Sequence, residues 1–140
     1  MGRLTKFDLG LIFVVVAFII AMIVNLVIFS KGYADTRNAQ RSEDVMIISQ
    51  AVAEFMQTSR YRINELGVVP ICPQTNKIGT ATGSIDLSVK LQETSLVTVP
   101  LDPSGGTAAD TGYAICITES SRIEVIATRA ENGKIIITKQ

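Results

Sequence analysis

Hydrophobic and polar positions change rhythm three times along this chain. From Leu9 to Phe29 the sequence "LGLIFVVVAFIIAMIVNLVIF" carries no charge, and Asn25 is its only strongly polar member. A helix apolar on every side and about 20 residues long matches the hydrocarbon thickness of a bilayer. The run also exceeds the apolar stretch of about 7–15 residues in a cleaved secretory signal. It reads as a retained single-pass anchor. Beyond it the apolar residues thin to one stripe: Val45, Ile48, Val52, Phe55, Ile63 and Leu66 recur at helical spacing, with Ser59 in the gap. Arg41, Glu43, Asp44, Gln50, Glu54 and Arg60 read as the polar counterpart. No proline occurs before Pro70. The two patterns therefore predict one helix from Leu9 to Leu66, bendable at Gly32, with Gly67 suited to a C-cap.

From Val68 the helical period is lost, and Pro70, Pro73, Gly79 and Gly83 punctuate a loop-like stretch. Ile85–Leu91 alternates and reads as a strand or a surface helical turn; Leu96–Val99 is short and apolar. The third rhythm is period two. Gly112–Thr118, Arg122–Arg129 and Lys134–Lys139 read as strands joined by "ESS" and "AENG", and Asn132-Gly133 is a strong hairpin signal because both residues tolerate positive φ. The predicted fold is α+β: a long N-terminal helix, half membrane-spanning and half amphipathic, packed on a three-stranded antiparallel meander. The helix-to-sheet core is Val45, Ile48, Val52 and Phe55, because one face of the sheet needs a cover and this stripe is the large one available. Two parts follow, a spanning helix over 1–31 and a globular head over 32–140.

Composition narrows the chemistry. Lys and Arg number 13, Asp and Glu 13, so formal charge is zero, and no field favours nucleic acid. There is no histidine, which lowers the prior for hydrolytic or zinc chemistry. No nucleophile–base pair is readable, so no enzyme is expected. Cys72 and Cys116 are the two cysteines. In an oxidising compartment they suggest a bridge closing a loop of about 45 residues, worth roughly 3–4 kcal/mol; two buried free thiols are the other reading. Arg3 and Lys6 precede the span and Lys31, Arg37 and Arg41 follow it, so the positive-inside count does not orient it. The cysteines favour a C-terminal part outside and a cytoplasmic N-terminus.

The stretch "LDPSGGTAADTGYAICI", Leu101–Ile117, combines glycines, hydroxyls and aspartates. It lacks the lysine and following helix of a phosphate loop. Asp102 and Asp110 are candidate calcium ligands, and no other cofactor is indicated. The plainer reading is a turn in which Pro103 fixes φ and an aspartate caps local N–H groups before the first strand.

These parts in this order resemble a type IV pilin or a type II secretion pseudopilin. The resemblance rests on the anchor, on "ADTRNAQRSEDVMIISQAVAEFM" (Ala34–Met56), in which Arg37, Arg41 and Asp44 lead into Ile48, Ala51 and Phe55, and on "VPLDPSGGTAADTGYAI" before the first strand. It implies a homo-oligomeric helical filament. Subunits would wait in membrane lipid, be extracted by an ATPase-driven pilus or secretion assembly machinery, and pack through Leu9, Phe13, Val16, Ile20, Ile23 and Leu26. The implied location is the inner (cell) membrane, then an extracellular or cell-surface filament. The family's processing junction is a glycine, then usually phenylalanine, with glutamate at the fifth mature position; here Lys6 precedes Phe7 and Leu11 holds the fifth place. The alternative is a non-polymerising, membrane-anchored pilin-like binding protein.

Overall fold

The structure is a computed structural model and describes residues 6–58, 63–91 and 94–139. Helix α1 runs Lys6–Thr58, without a break at Gly32. The chain divides into two compact units, 1–35 and 36–140. In the first, every side chain from Gly10 to Tyr33 is exposed. This part of α1 is long and apolar enough to cross a membrane: its most apolar window has a mean hydropathy of 3.3 and is 0% buried. Two of its polar side chains bond the helix's own backbone. Asn25 Nδ2 donates to the Ala21 carbonyl at 2.8 Å, and Ser30 Oγ donates to the Val27 carbonyl at 2.9 Å. Such bonding suits a helix surrounded by apolar groups.

The second unit holds the sheet. Strands β1 (Asn76–Lys77), β2 (Tyr113–Ile117), β3 (Ile123–Ala127) and β4 (Ile137–Lys139) lie in that order, all antiparallel. The predicted meander is β2–β3–β4, and the expected count of three strands is corrected to four. β1 escaped the sequence because it has two residues, too few to show alternation, and its partner β2 imposes its conformation. Asn132 and Gly133 both have positive φ (57° and 66°), and Lys134 N donates to the Glu131 carbonyl at 3.1 Å to close the β3–β4 turn. Ile85–Leu91 resolves as a helical turn: α2 (Leu87–Lys90), with Asp86 as N-cap accepting from Ser88 N. Leu96–Val99 forms no strand.

The register pairs Tyr113 with Ala127, Ile115 with Val125 and Ile117 with Ile123. These side chains share the face turned toward α1. Val45, Ile48, Ala51, Val52 and Phe55 of α1 join Tyr113, Ile115, Ile123, Val125 and Ala127 in one buried cluster, completed by Ile78, Ile85, Leu87, Leu91 and Leu96. Val45, Ile48 and Val52 are fully buried, each worth about 1.5–3 kcal/mol against exposure. The expected helix end at Leu66 is corrected as well. α1 ends at Thr58, Ser59 and Arg60 lie outside the described residues, and Ile63–Glu65 is a 3-10 turn. Leu66 N donates to the Ile63 carbonyl at 3.0 Å, and Gly67, with φ +127°, ends that turn rather than α1. Leu66 still reaches the core.

Candidate functional site

The polar residues that matter most lie inside the stripe, not opposite it. Arg37, Arg41, Asp44 and Ile48 follow one another at steps of four, three and four, so all fall on one helix face. Arg41 is fully buried. Its Nε donates to Asp102 Oδ2 at 2.7 Å and its Nη2 to Asp102 Oδ1 at 3.2 Å, a two-pronged pairing. Nη2 also reaches Ser104 Oγ at 2.6 Å, and Nη1 reaches Glu131 Oε2 at 2.8 Å and Asn38 Oδ1 at 2.9 Å. Arg37 completes the cluster, donating to both Glu131 carboxylate oxygens at 2.7 and 2.5 Å. Asn38 bonds the Glu131 main chain in both directions at 3.0 Å.

One turn on, the Tyr113 hydroxyl donates to Asp44 Oδ2 at 2.5 Å within the core. Three elements are thereby fixed to about two turns of helix, Arg37 to Asp44: the Asp102 loop, the turn after β3, and the first residue of β2. The reading of Arg41 and Asp44 as the solvent-facing counterpart is therefore corrected. Burial is compatible with charge here because each group has a partner. Glu43 and Gln50 do face solvent, and Glu54 accepts from Ser95 N and Oγ at 3.0 and 2.8 Å.

The electrostatics follow from the pairing. The Arg37 and Arg41 guanidinium groups hold the Glu131 carboxyl down at about 2. Bonding to Asp102 pushes the Arg41 guanidinium up. Burial pushes Asp44 up, opposed by the Tyr113 hydroxyl; burial and the Asp44 bond push the Tyr113 hydroxyl up. These ion pairs and hydrogen bonds fasten α1 to the segments that carry Asp102, Tyr113 and Glu131.

Glycines let the Asp102 loop close tightly. A Cβ on Gly112 (φ +87°) would lie 2.5 Å from Asp102 Cβ, and one on Gly106 would lie 2.4 Å from Asp102 N. These contacts require glycine at both places.

Asp102 and Asp110, the candidate calcium ligands, both bond protein groups. Both Asp102 oxygens face Arg41, and Oδ1 also accepts from Ser104 N at 2.8 Å. Asp110 Oδ2 takes Lys77 Nζ at 3.2 Å and Arg129 Nη2 at 3.4 Å, while Oδ1 takes Gly112 N at 3.1 Å. Each carboxylate is thus paired with at least one side-chain cation. Asp110 is held below the usual carboxylate range, chiefly by Lys77.

Cys72 and Cys116 are joined, 44 residues apart in sequence, a loop whose closure is worth about 4 kcal/mol in the chain-entropy model. Glu124 approaches the two sulfurs, but it pairs with Lys139 Nζ at 2.8 Å; the bonded sulfurs and the paired carboxylate are not a free ligand set. Phe13, Val16, Ile20, Ile23 and Leu26 are exposed, between 47% and 75%, like their neighbours, so exposure alone does not single out their face. Leu9 lies in α1. The head also carries an apolar cleft of about 240 Å³ lined by Ile78, Leu87, Val97, Val99, Leu101 and neighbouring polar residues.

Asn38, Tyr113 and Glu131 have no assigned polar role in the sequence, and Asp44 reads there as facing solvent. Only Asp44 carries a signal, its place with Arg37 and Arg41 in the four-three-four spacing that runs into Ile48. Comparison with protein-family profiles, curated proteins and solved structures gives no match.

Proposed function

We propose that the chain is a structural subunit of a type IV pilus or pseudopilus-like filament, held in the inner membrane before assembly with its head outside. What supports this reading is the division along α1, with a first half apolar on all sides and exposed and a second half committed to a disulfide-braced head. A helix apolar all round exchanges lipid for neighbouring helices at little cost, because both surroundings are apolar. Head-to-tail association of such subunits gives open filaments rather than closed rings. The partners of this reading are other copies, membrane lipid and an assembly machine, and the role is structural, not enzymatic.

The second reading is a pilin-like binding protein that stays in the membrane. It is favoured by the N-terminal sequence, where Lys6 and Leu11 replace the family's glycine and glutamate. Mass spectrometry of sheared cell-surface filaments decides between them. Peptides of this chain in the sheared fraction support the filament, and their N-terminal peptide reports processing; confinement of the chain to membranes overturns it.

A further inference from the structure

We infer that Cys72, Cys116 and Glu124 form a zinc site when the disulfide is reduced. One place in the head then takes either of two staples, an S–S bond or a thiolate-bound divalent metal. The inference stands apart from the filament reading. Both sulfurs and a Glu124 carboxylate oxygen lie within 4.8 Å of one another, and Cys116 and Glu124 are buried. Cys116 and Glu124 pair directly across β2 and β3. Their side chains lie on the sheet face opposite Tyr113, Ile115 and Ile117, so the site is outside the core that α1 covers.

Backbone bonds as well as the disulfide hold these residues in place. Cys72 N donates to the Ile117 carbonyl at 2.9 Å, and Ile117 N donates to the Pro70 carbonyl at 2.9 Å. Ile71 bridges Ile117. Cys72 is thereby held alongside the end of β2, its Cα 5.3 Å from that of Cys116. Glu124 is fixed within β3, which is paired on both sides. Breaking the S–S bond frees two sulfurs whose main chains remain held. Zinc bonds sulfur at about 2.3 Å and carboxylate oxygen at about 2.0–2.2 Å, so its tetrahedral ligands stand roughly 3.5–4 Å apart. Side-chain rotation brings the sulfurs to that spacing.

The donors select the ion. Thiolates favour zinc over calcium and magnesium. Two thiolates and a carboxylate carry three negative charges, and Lys139, with Nζ 2.8 Å from Glu124 Oε1, offsets one. A divalent cation neutralises the rest. Among the described residues the Glu124 carboxylate has no other hydrogen bond, so its second oxygen is open to a metal. Water takes the fourth position, reached past the partly buried Cys72. The change of staple needs a reducing dithiol. It gives two electrons and two protons to the S–S bond, leaving two thiols here and a disulfide on the reductant. The metal then releases both thiol protons to solvent.

The test uses the full chain in micelles, with Co²⁺ as spectroscopic probe and Zn²⁺ as competitor. The chain is reduced with a dithiol, which is removed without oxygen before metal is added. The expected result is one Co²⁺ per reduced chain, with a strong near-ultraviolet thiolate-to-cobalt band that Zn²⁺ abolishes, and no such band on the oxidised chain. Glu124→Gln weakens Co²⁺ binding at least about tenfold. Lys139→Gln, which frees the carboxylate, tightens it, and Glu119→Gln, in the exposed β2–β3 turn, leaves it unchanged. Zinc raises the unfolding midpoint of the reduced chain and not that of the oxidised chain. Where reduction alone costs the head its protease resistance, zinc restores it. A reduced chain without the thiolate band, one metal shared by two chains, or binding indifferent to Glu124→Gln overturns the inference.

Discussion

The two halves of α1 obey the same backbone rules and differ in what surrounds them. From Gly10 to Phe29 no face is distinguished, and every described side chain is exposed. From Arg37 to Phe55 one face is buried, and it carries charge as well as apolar groups: Arg41 and Asp44 sit among Val45, Ile48 and Val52. The difference teaches that apolar stripes set which face packs, while buried ionic groups set where along the sheet it packs. Apolar side chains tolerate small slips, whereas a guanidinium bonded to Asp102, Ser104, Asn38 and Glu131 fits one register. Sliding the helix by a turn would leave buried charges unpaired, which is far more costly than a poorer apolar fit.

Substitutions can break the comparison, and the largest effect belongs to the core stripe. Ile48→Asp puts an unpaired charge at a fully buried position and should destabilise the head by about 4–5 kcal/mol or more. Ile20→Asn, on the exposed half, should leave head stability within about 0.5 kcal/mol. Thermal unfolding of the head in detergent compares the two, and equal losses would erase the distinction between the halves. Arg41→Leu comes next. It strands Asp102 and should cost about 3–5 kcal/mol, while the Arg41→Leu/Asp102→Leu pair should recover most of that loss; denaturant titration measures both.

Tyr113→Phe removes the donor to buried Asp44 and should cost about 1–3 kcal/mol. It also changes the pH response. Tyr113 ordinarily titrates near 10.0 and is pushed up in the fold, so its contribution is intact below pH 10 and fades as pH rises above it. The variant should lose that alkaline limb. On the acid side, Glu131 ordinarily titrates at 4.5 and is held at about 2, so its contribution is present above about pH 4.5 and disappears as pH falls through about 2. Asp44, pushed up by burial, works in the opposite sense and blunts the acid loss. The smallest effect is a gain. Ser49 Oγ is buried without a hydrogen-bond partner among the described residues, and Ser49→Ala should stabilise the head by about 1 kcal/mol. No gain in midpoint would mean that the hydroxyl finds a partner.

Much of this architecture was legible in the sequence because it repeats. The apolar run, the stripe of Val45, Ile48, Val52 and Phe55, and the two long strands each offer several residues in phase. The Asn132-Gly133 turn was legible because few residues adopt its conformation. What was not legible is what does not repeat. β1 is two residues defined by its neighbour. Arg41 and Asp102 are separated by 61 residues, and Glu131 lies 90 beyond Arg41; their attraction leaves no local period. Asp102 and Asp110 looked like ligands because two acids beside glycines present oxygen donors, and the cations that take those donors, Arg41, Lys77 and Arg129, come from three other segments.

The central claim is that one helix holds two independent commitments, with the ionic fastener governing only the second. Hydrogen–deuterium exchange on the full chain in micelles, wild type against Arg41→Leu, tests it most directly. The expected result is that amides from Val45 to Phe55 lose protection by about two to four orders of magnitude, the equivalent of about 3–5 kcal/mol, while those from Leu11 to Phe29 are unchanged. Equal loss in both stretches, or none in the second, would contradict the account.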